Sequence, residues 1–506
     1  MILASRTSRP ATVLVLQADT LRLPLADESA DLILVSPPYY NVRDYGCPGQ
    51  LGLEPTPAAY LEVLWAATRE WVRVLKPTGS LWVNLGDKYS GHSGEKWGNG
   101  RSLDGHGRAS LRGMPTGPRR APEVWGIPSK SLIGLPWLYA LGCTGALAMV
   151  GGADPGLGLR LRREVIWHKQ SPLPESVKDR PPTAHEYLFC FSKQRYYFAG
   201  ADEIRLPHTM RPQRRPNGHK ARQQLGALPP QTYSTSQHDE PDIDGHPLGK
   251  IPGSVWPIAG EPFRPPDYLV EDDRGWRFLD AREAWRYAEL RRQEPEFAGP
   301  ILAHHVEHHA AMPTELARRV ILGWSPSGIC LACGEGRWPV NDEHLADDRP
   351  GRRQHRDGDA LERAHGADGR TGDRHASRAA IIGYACPCTP STWHPGSGRP
   401  SPTAGPDGRQ GERPADIAAR HRRVGAWREY HFDHWTPPPT RPAVVVDPCC
   451  GSGTVPAVAR VLGRDGIGVD LSWDYTRLTT WRAAQPTVAA KVLARTNQEA
   501  QQTLAV

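Results

Sequence analysis

Two short stretches carry residue types from which a chemical site could be built: Ser36-Pro37-Pro38-Tyr39-Tyr40, and Asp447-Pro448-Cys449-Cys450-Gly451-Ser452-Gly453-Thr454. The first offers a hydroxyl, a proline-flanked carbonyl and an aromatic ring. A planar base with an exocyclic amine fits that set, because the oxygens accept from the amine while Tyr39 stacks on the ring. Ser36–Tyr39 also reads as an ordinary turn with a packed tyrosine. In the second stretch, glycines at 451 and 453 let the backbone approach a ligand closely. Asp470 follows the apolar run Gly466-Ile467-Gly468-Val469, where a carboxylate would grip ribose hydroxyls. The turn lacks the spacing G-x-G-x-x-G of dinucleotide sites, and its Asp-Pro-x-x-Gly-Ser-Gly-Thr order suits S-adenosylmethionine better. A tight strand-to-helix turn is the plain alternative.

A third set is made of thiols. Cys330-Leu331-Ala332-Cys333 and Cys386-Pro387-Cys388 form two knuckle-like pairs that match a structural tetrahedral zinc site, with His394 as a substitute ligand. The second pair is C-x-C and the gap between the pairs is long, so isolated cysteines are the competing reading. Bound metal would supply the folding energy that so polar a segment lacks. The histidines His304, His305, His308 and His309 have no H-E-x-x-H order and read as no metal site. The Pro448-Cys449 pair lies inside the glycine turn and is not expected to be a nucleophile.

These residues need elements to position them. Asp31–Val35 is a continuous apolar run, the pattern of a parallel strand buried on both faces, and the double proline forces the chain out of the ladder at its end. Thr12–Leu16, Ser80–Leu85, Arg162–Trp167, Glu186–Phe191, Ala443–Val446 and Gly466–Asp470 read as further strands, with a hairpin from Gln194-Arg195 to Tyr196–Phe198. Thr56-Pro57 caps and starts a helix, which Lys76–Gly79 stops. Ser129–Leu147 is helical with a kink or break at Pro136, Ala281–Arg292 and Pro313–Leu322 are helices, and Val455–Leu462 follows the glycine turn. Segments 86–129, 205–300 and 325–439 are polar and weakly periodic, and 341–380 carries too little apolar content to order itself.

The 506 residues exceed one domain, and the net charge of +7 permits a polyanionic partner. Arginine outnumbers lysine, which suits bidentate contacts to phosphate or guanine. No apolar run reaches membrane-spanning length, and the first residues lack a basic-then-apolar pattern, so no signal sequence is expected. Nine cysteines, an odd number, do not form a secreted disulfide framework, so a soluble, reducing, intracellular setting is expected.

Taken together, the chain resembles the beta-class, site-specific DNA amino-methyltransferases, in which the SPPY motif precedes the cofactor turn. The resemblance runs through "LILVSPPYYNVRDYG", "RVLKPTGSLWVNLGDKYSG", "REVIWHKQSPLPESVKDRPPTAHEYLFCFSKQRYYF", "HAAMPTELARRVILGWSPSG" and "VVVDPCCGSGTVPAVARVLGRDGIGVDLS", about half the chain in the order that class requires. It implies an α/β fold, a permuted Rossmann-like, S-adenosylmethionine-dependent methyltransferase core with a target-recognition region and a Cys-rich insert. The expected division is 1–204 catalytic half, 205–300 recognition region, 301–324 cofactor-side helix, 325–439 insert, 440–485 cofactor half and 486–506 tail. Ser36, Pro37, Pro38 and Tyr39 would hold the target amine and ring. Asp447, Pro448, Gly451, Gly453, Thr454 and Asp470 would hold the cofactor, with His309, Pro313 and Glu315 at its methionine end and Asp19 at its adenine. Cys449 stands where the family usually has Phe, which would loosen cofactor packing.

The reaction so implied moves a methyl group from S-adenosylmethionine to the N4 amine of a cytosine flipped from double-stranded DNA, with adenine N6 or an RNA base as alternatives. A serine in the first motif position leans toward cytosine. Partners would be double-stranded DNA, contacted by Arg211, Arg214, Arg215, Lys220 and Arg222, and a cognate restriction endonuclease, in a bacterial or phage-encoded cytoplasmic protein. A non-catalytic zinc-containing nucleic-acid-binding protein is the reading from another class.

Overall fold

The computed structural model describes residues 8–90, 127–172, 174–175, 177–206, 250–261, 269–272, 275–279, several positions of 282–293, and 311–341, 381–386 and 438–494. Its centre is an eight-stranded sheet of β1 (Val13–Gln17), β2 (Ala30–Val35), β3 (Leu75–Leu85), β4 (Arg160–Lys169), β5 (His185–Ser192), β6 (Val255–Ile258), β13 (Val444–Asp447) and β14 (Asp465–Asp470). Outside it lie the short pairs of β7 (Leu269–Asp272) with β8 (Gly275–Phe278), β9 (Ile329–Cys330) with β12 (Thr440–Arg441), and β10 (Trp338–Asn341) with β11 (Ile381–Ala385). The strand order in the sheet is β1-β14-β13-β2-β3-β5-β4-β6. The first five are mutually parallel, β5 is antiparallel to both neighbours, and β6 runs parallel to β4.

Both faces are covered, which is why the strands read as unbroken apolar runs. Alternation sends Ile33, Val35, Leu81 and Val83 into the core shared with α1 (Pro57–Val74) and α2 (Leu135–Thr144), while Leu32, Leu34, Trp82 and Val445 enter the core of α3 (Thr314–Trp324) and α4 (Thr454–Val461). The Thr56 hydroxyl accepts from the Ala59 amide at 3.0 Å, a cap worth about 1 kcal/mol, with Pro57 at the helix start. A last helix, α5 (Trp473–Ala484), packs against α4, β1 and β14, and Val488 and Val492 of the helical residues 486–494 are buried with α3 and α4.

The α/β class and the order of the main strands agree with the sequence reading, and four local features differ. Lys76–Gly79 is not a stop between helix and strand: β3 begins at Leu75, whose amide closes α1 on Trp71 O, because Leu75 already pairs with Ala30. Pro136 does not kink a helix but lies in the first turn of α2, where its missing N–H costs nothing, after left-handed Gly134. No strand forms at 196–198, since the Phe198 amide donates to Thr78 O and its ring packs on Trp338 at 4.4 Å. Residues 205–300 add an edge strand, β6, to the core sheet, and the insert contributes β9, β10 and β11, with β9 paired to β12 just beyond it. Residues 282, 283, 285, 286 and 289 are helical, in the stretch read as helix, and residue 293 just beyond it is helical too. Among the described residues no helix is long and apolar enough to cross a membrane.

Candidate active site

Parallel pairing places the ends of four strands along one edge. Leu32 and Ile33 of β2 pair with Val445 and Val446 of β13, so Ser36–Tyr39 and Pro448–Gly451 leave neighbouring strands side by side. Gln17 of β1 pairs with Asp470 of β14, which brings Asp19 and Asp470 to the same edge. The switch point between β14 and β2 falls at β13, where ligands of open α/β sheets sit. A second bridge joins the two stretches: Tyr45, in the loop after Tyr39, meets Tyr475 of α5 edge-on at 5.9 Å, and Thr20 Oγ1 lies 3.7 Å from Cys449 Sγ.

The glycine turn is held from behind. Gly451 N donates to Asp470 Oδ2 at 2.9 Å, Thr479 Oγ1 donates to Gly451 O at 2.9 Å, and buried Arg482 donates to Ser452 Oγ at 2.8 Å. Gly451 and Gly453 adopt φ of +46° and +74°, conformations only glycine takes readily. Burial pushes the Asp470 carboxyl up to about 6, and Asp447, buried and beside Asp470, up to about 8. Thr454 Oγ1, at the first turn of α4, is buried with no hydrogen-bond partner among the described residues. An orphan hydroxyl and two under-solvated carboxyls suit a ligand with hydroxyls and a cation. Burial and the Asp447 charge hold the Cys449 thiol well above its ordinary value, and burial with the Asp470 charge does the same at Cys450, so neither is an activated nucleophile.

At the SPPY stretch, Ser36, Pro38 and Tyr39 are partly exposed and Pro37 is buried. The Tyr60 hydroxyl donates to Pro38 O at 3.0 Å, fixing the turn. Tyr39 is not a free stacking ring. Its hydroxyl donates to Glu186 Oε2 at 2.7 Å and accepts from Asn84 Nδ2, with Ser36 Oγ 3.4 Å away. Asn84 Nδ2 also donates to Glu186 Oε2 at 2.6 Å, and Lys169 Nζ to Glu186 Oε1 at 2.5 Å. The carboxylate can only accept, so it sets the amide: nitrogen toward Glu186, and Oδ1 buried without a partner among the described residues. Burial, then the Glu186 charge, lifts the Tyr39 hydroxyl well above its ordinary value, keeping it a donor. One side of the ring rests on Gly86, where a Cβ would lie 2.9 Å from Tyr39 Cε2.

Asn84, Lys169 and Glu186 were not anticipated. Glu186 stands out in sequence only as a carboxylate opening the apolar run His185–Ser192, and its partners come from β3 and β4 through antiparallel registers. Pro313 stands at the N-terminal cap position of α3, and the Glu315 carboxylate accepts from Arg318 Nε at 2.8 Å and Arg319 Nε at 2.6 Å within the helix. Sulfur atoms of Cys330, Cys333 and Cys386 lie within 4.8 Å of one another. His309, Cys388, His394 and the arginines and lysine at 211–222 lie outside the described residues.

The chain is similar to several known proteins. The chain is 37% identical over 183 residues to the Type II methyltransferase M.SmaI of Serratia marcescens, covering 36% of this chain and 56% of that protein. It is 39% identical over 185 residues to the Type II methyltransferase M.Cfr9I of Citrobacter freundii, covering 36% and 54%. It thus spans little more than half the length of the curated relatives it matches. The solved PvuII DNA methyltransferase (cytosine-N4-specific) aligns over 98% of this chain and 96% of its own with a TM-score of 0.41 and 12% identity. The family model N6_N4_Mtase, described as DNA methylase, matches residues 30–330, more than half of the 506, and the chain belongs to that family.

Proposed function

We propose that this protein transfers a methyl group from S-adenosylmethionine to an exocyclic amine of a base flipped out of double-stranded DNA, cytosine N4 being the favoured target. The observation that carries the reading is the β2–β13 pairing, which sets Ser36–Tyr39 beside the Asp447–Thr454 turn. Asp447, Asp470, Gly451, Gly453 and Thr454 would hold the cofactor, with Asp19 at the same edge. When bound, the cofactor supplies an electrophilic methyl on a sulfonium. An amine conjugated to a base ring is a poor nucleophile, because its lone pair is delocalised. Ser36 Oγ, the Pro37 carbonyl and the unpartnered Asn84 Oδ1 are acceptors that would draw its hydrogens out of the ring plane and localise the lone pair, while Tyr39 replaces lost stacking. The preference for cytosine rests on Ser36 in the first motif position. The names of the relatives, Type II methyltransferases, support a cognate restriction endonuclease and a cytoplasmic setting as part of the proposal. The deciding experiment is digestion of DNA incubated with protein and cofactor, followed by mass analysis of nucleosides. N4-methylcytosine supports the reading, N6-methyladenine moves the target, and no methylated nucleoside defeats it.

Two further outcomes follow from the site. Glu186→Ala removes the shared acceptor of Tyr39, Asn84 and Lys169, freeing the ring and amide to rotate. A drop in kcat of about a hundredfold with cofactor affinity unchanged is expected, since misplacement by about 1 Å costs that much. Unchanged kcat would remove Glu186 from the site. Cofactor binding should also depend on pH. Ribose hydroxyls donate to the ionised Asp470, whose carboxyl titrates at about 6, so affinity is expected to fall as pH drops through 6, by up to about tenfold per unit below it. Titrations between pH 5 and 8 check this, and Asp470→Asn should flatten the profile. In the ligand-free protein the sign reverses: carboxyls raised on folding bind protons that the unfolded chain has released above about pH 4. Stability therefore declines as pH rises from about 4 toward 8, through Asp470 first and then Asp447.

A further inference from the structure

The insert between α3 and β13 holds a cluster that methyl transfer does not use. After β9 the chain turns tightly: Gly334 N donates to Cys330 O at 2.9 Å, Cys330 N donates to Glu335 O at 2.9 Å, and Gly334 sits at φ +75°. That turn carries Cys333 back toward Cys330. The next strand, β10, pairs antiparallel with β11, Trp338 opposite Ala385, which returns the chain so that Cys386 arrives beside the same turn. The three sulfurs come from positions 330, 333 and 386 and still converge to within 4.8 Å of one another. Cys330 and Cys386 are 1% and 0% exposed, and Cys333 is partly exposed. Four thiolates at Zn–S bonds of about 2.3 Å around a tetrahedral ion stand about 3.8 Å apart, so three corners of such a shell need only small adjustments. In the sequence, Cys388 follows Cys386 by two residues, the spacing of a short knuckle.

We propose that Cys330, Cys333, Cys386 and Cys388 bind one structural zinc ion that ties the start of the insert to its middle, beside the segment leading into β13. Soft thiolate donors and a closed tetrahedral shell select zinc over the hard divalent ions. The clasp is tied to the cofactor half by several bonds. Cys330 pairs with Thr440 and Ile329 with Arg441, Leu331 N donates to Pro439 O at 2.9 Å, and buried Arg337 donates to Pro438 O. Three residues beyond Arg441 begins β13, whose last residue is Asp447. Metal binding would thus brace the strand that ends in the glycine turn, without touching reacting atoms. This inference does not depend on the methyl-transfer reading.

The test uses the full chain, purified without chelator and without added metal. About one zinc per chain by mass spectrometry, released stoichiometrically by a mercurial into a colorimetric zinc indicator, is expected. Cobalt exchanged into the wild-type protein should give the thiolate-to-metal charge-transfer band and the intense visible bands of a tetrahedral site. Cys386→Ser and Cys388→Ser should each reduce zinc content at least tenfold and lower the melting temperature, while Cys47→Ser, at a thiol elsewhere, should leave zinc content unchanged. Because a cysteine variant can fail to fold, the wild-type zinc content and cobalt spectrum stand by themselves. Less than about a tenth of an equivalent of zinc with no cobalt bands, stoichiometric iron in its place, or a disulfide among these cysteines would overturn the proposal. Full zinc retention by Cys388→Ser would overturn the four-cysteine ligand set.

Discussion

Tyr39→Ala is expected to lower the turnover of DNA methylation by about a hundredfold or more while leaving cofactor binding at its wild-type level. Stacking of a base on an aromatic ring is worth about 1–3 kcal/mol, and each 1.4 kcal/mol is a factor of ten. The hydroxyl adds a second contribution, because it links Ser36, Asn84 and Glu186. Removing it leaves the Asn84–Glu186–Lys169 contacts in place, so the protein should fold. Tyr39→Phe separates the two effects: it keeps the ring and loses the hydroxyl's contacts with Ser36, Asn84 and Glu186, of which the bond to the Glu186 carboxylate is worth about 1.5–3 kcal/mol. Single-turnover kinetics on duplex DNA, with cofactor binding measured in parallel, check this. Full turnover by Tyr39→Ala and by Ser36→Ala would show that the SPPY turn is not where the base is held.

Gly453→Ala is expected to abolish cofactor binding and to destabilise the fold by about 2–5 kcal/mol. The left-handed backbone accounts for about 1–2 kcal/mol and forced overpacking for about 1–3. Its φ is +74°, and an added Cβ would lie 2.7 Å from both Cα and Cγ2 of Thr479. A backbone atom cannot rotate away, so α5 must shift, and with it the Thr479 and Arg482 contacts that hold the turn. Gly463→Ala is the matched control: φ is +79° there with open space around it, so only the conformational cost applies. Denaturant melts of both variants and a cofactor titration measure the difference. Wild-type affinity in Gly453→Ala would exclude this turn from the cofactor site.

Much of the fold could be read from the chain because its signals are local. Ala30–Val35 is a strand buried on both faces, and a run of four apolar residues, Leu32–Val35, followed after Ser36 by two prolines says so without any partner in view. The cap at Thr56 and the proline at 57 announce α1 in the same way. What escaped depends on pairing. Glu186 meets Tyr39 only because β5 lies between β3 and β4, and nothing in His185–Ser192 specifies those neighbours. Strand β6 is four residues with a proline at its third position, too short and too irregular for an alternation pattern to show. Pro136 carries the same local signal whether it starts a helix or bends one, and only Gly134 at φ +83° decides between them. The ion pairs that occupy Glu315 likewise depend on arginines one turn away, which a motif match does not weigh.

The late arrival of β13 and β14 has a consequence for how the molecule is made. Among the described residues β1 has only β14 as its sheet neighbour, and one edge of β2 stays unpaired until β13 fills the gap. While the ribosome is still copying the message for the insert, the nascent polypeptide therefore carries a half-finished sheet with a bare, very apolar border, the kind of edge that recruits other chains. Closing that border requires contacts between residues more than four hundred apart, and such distant pairings are slow to form. Synthesis halted before residue 440 should yield insoluble material, whereas co-expression of residues 438–506 as a separate piece should rescue part of it.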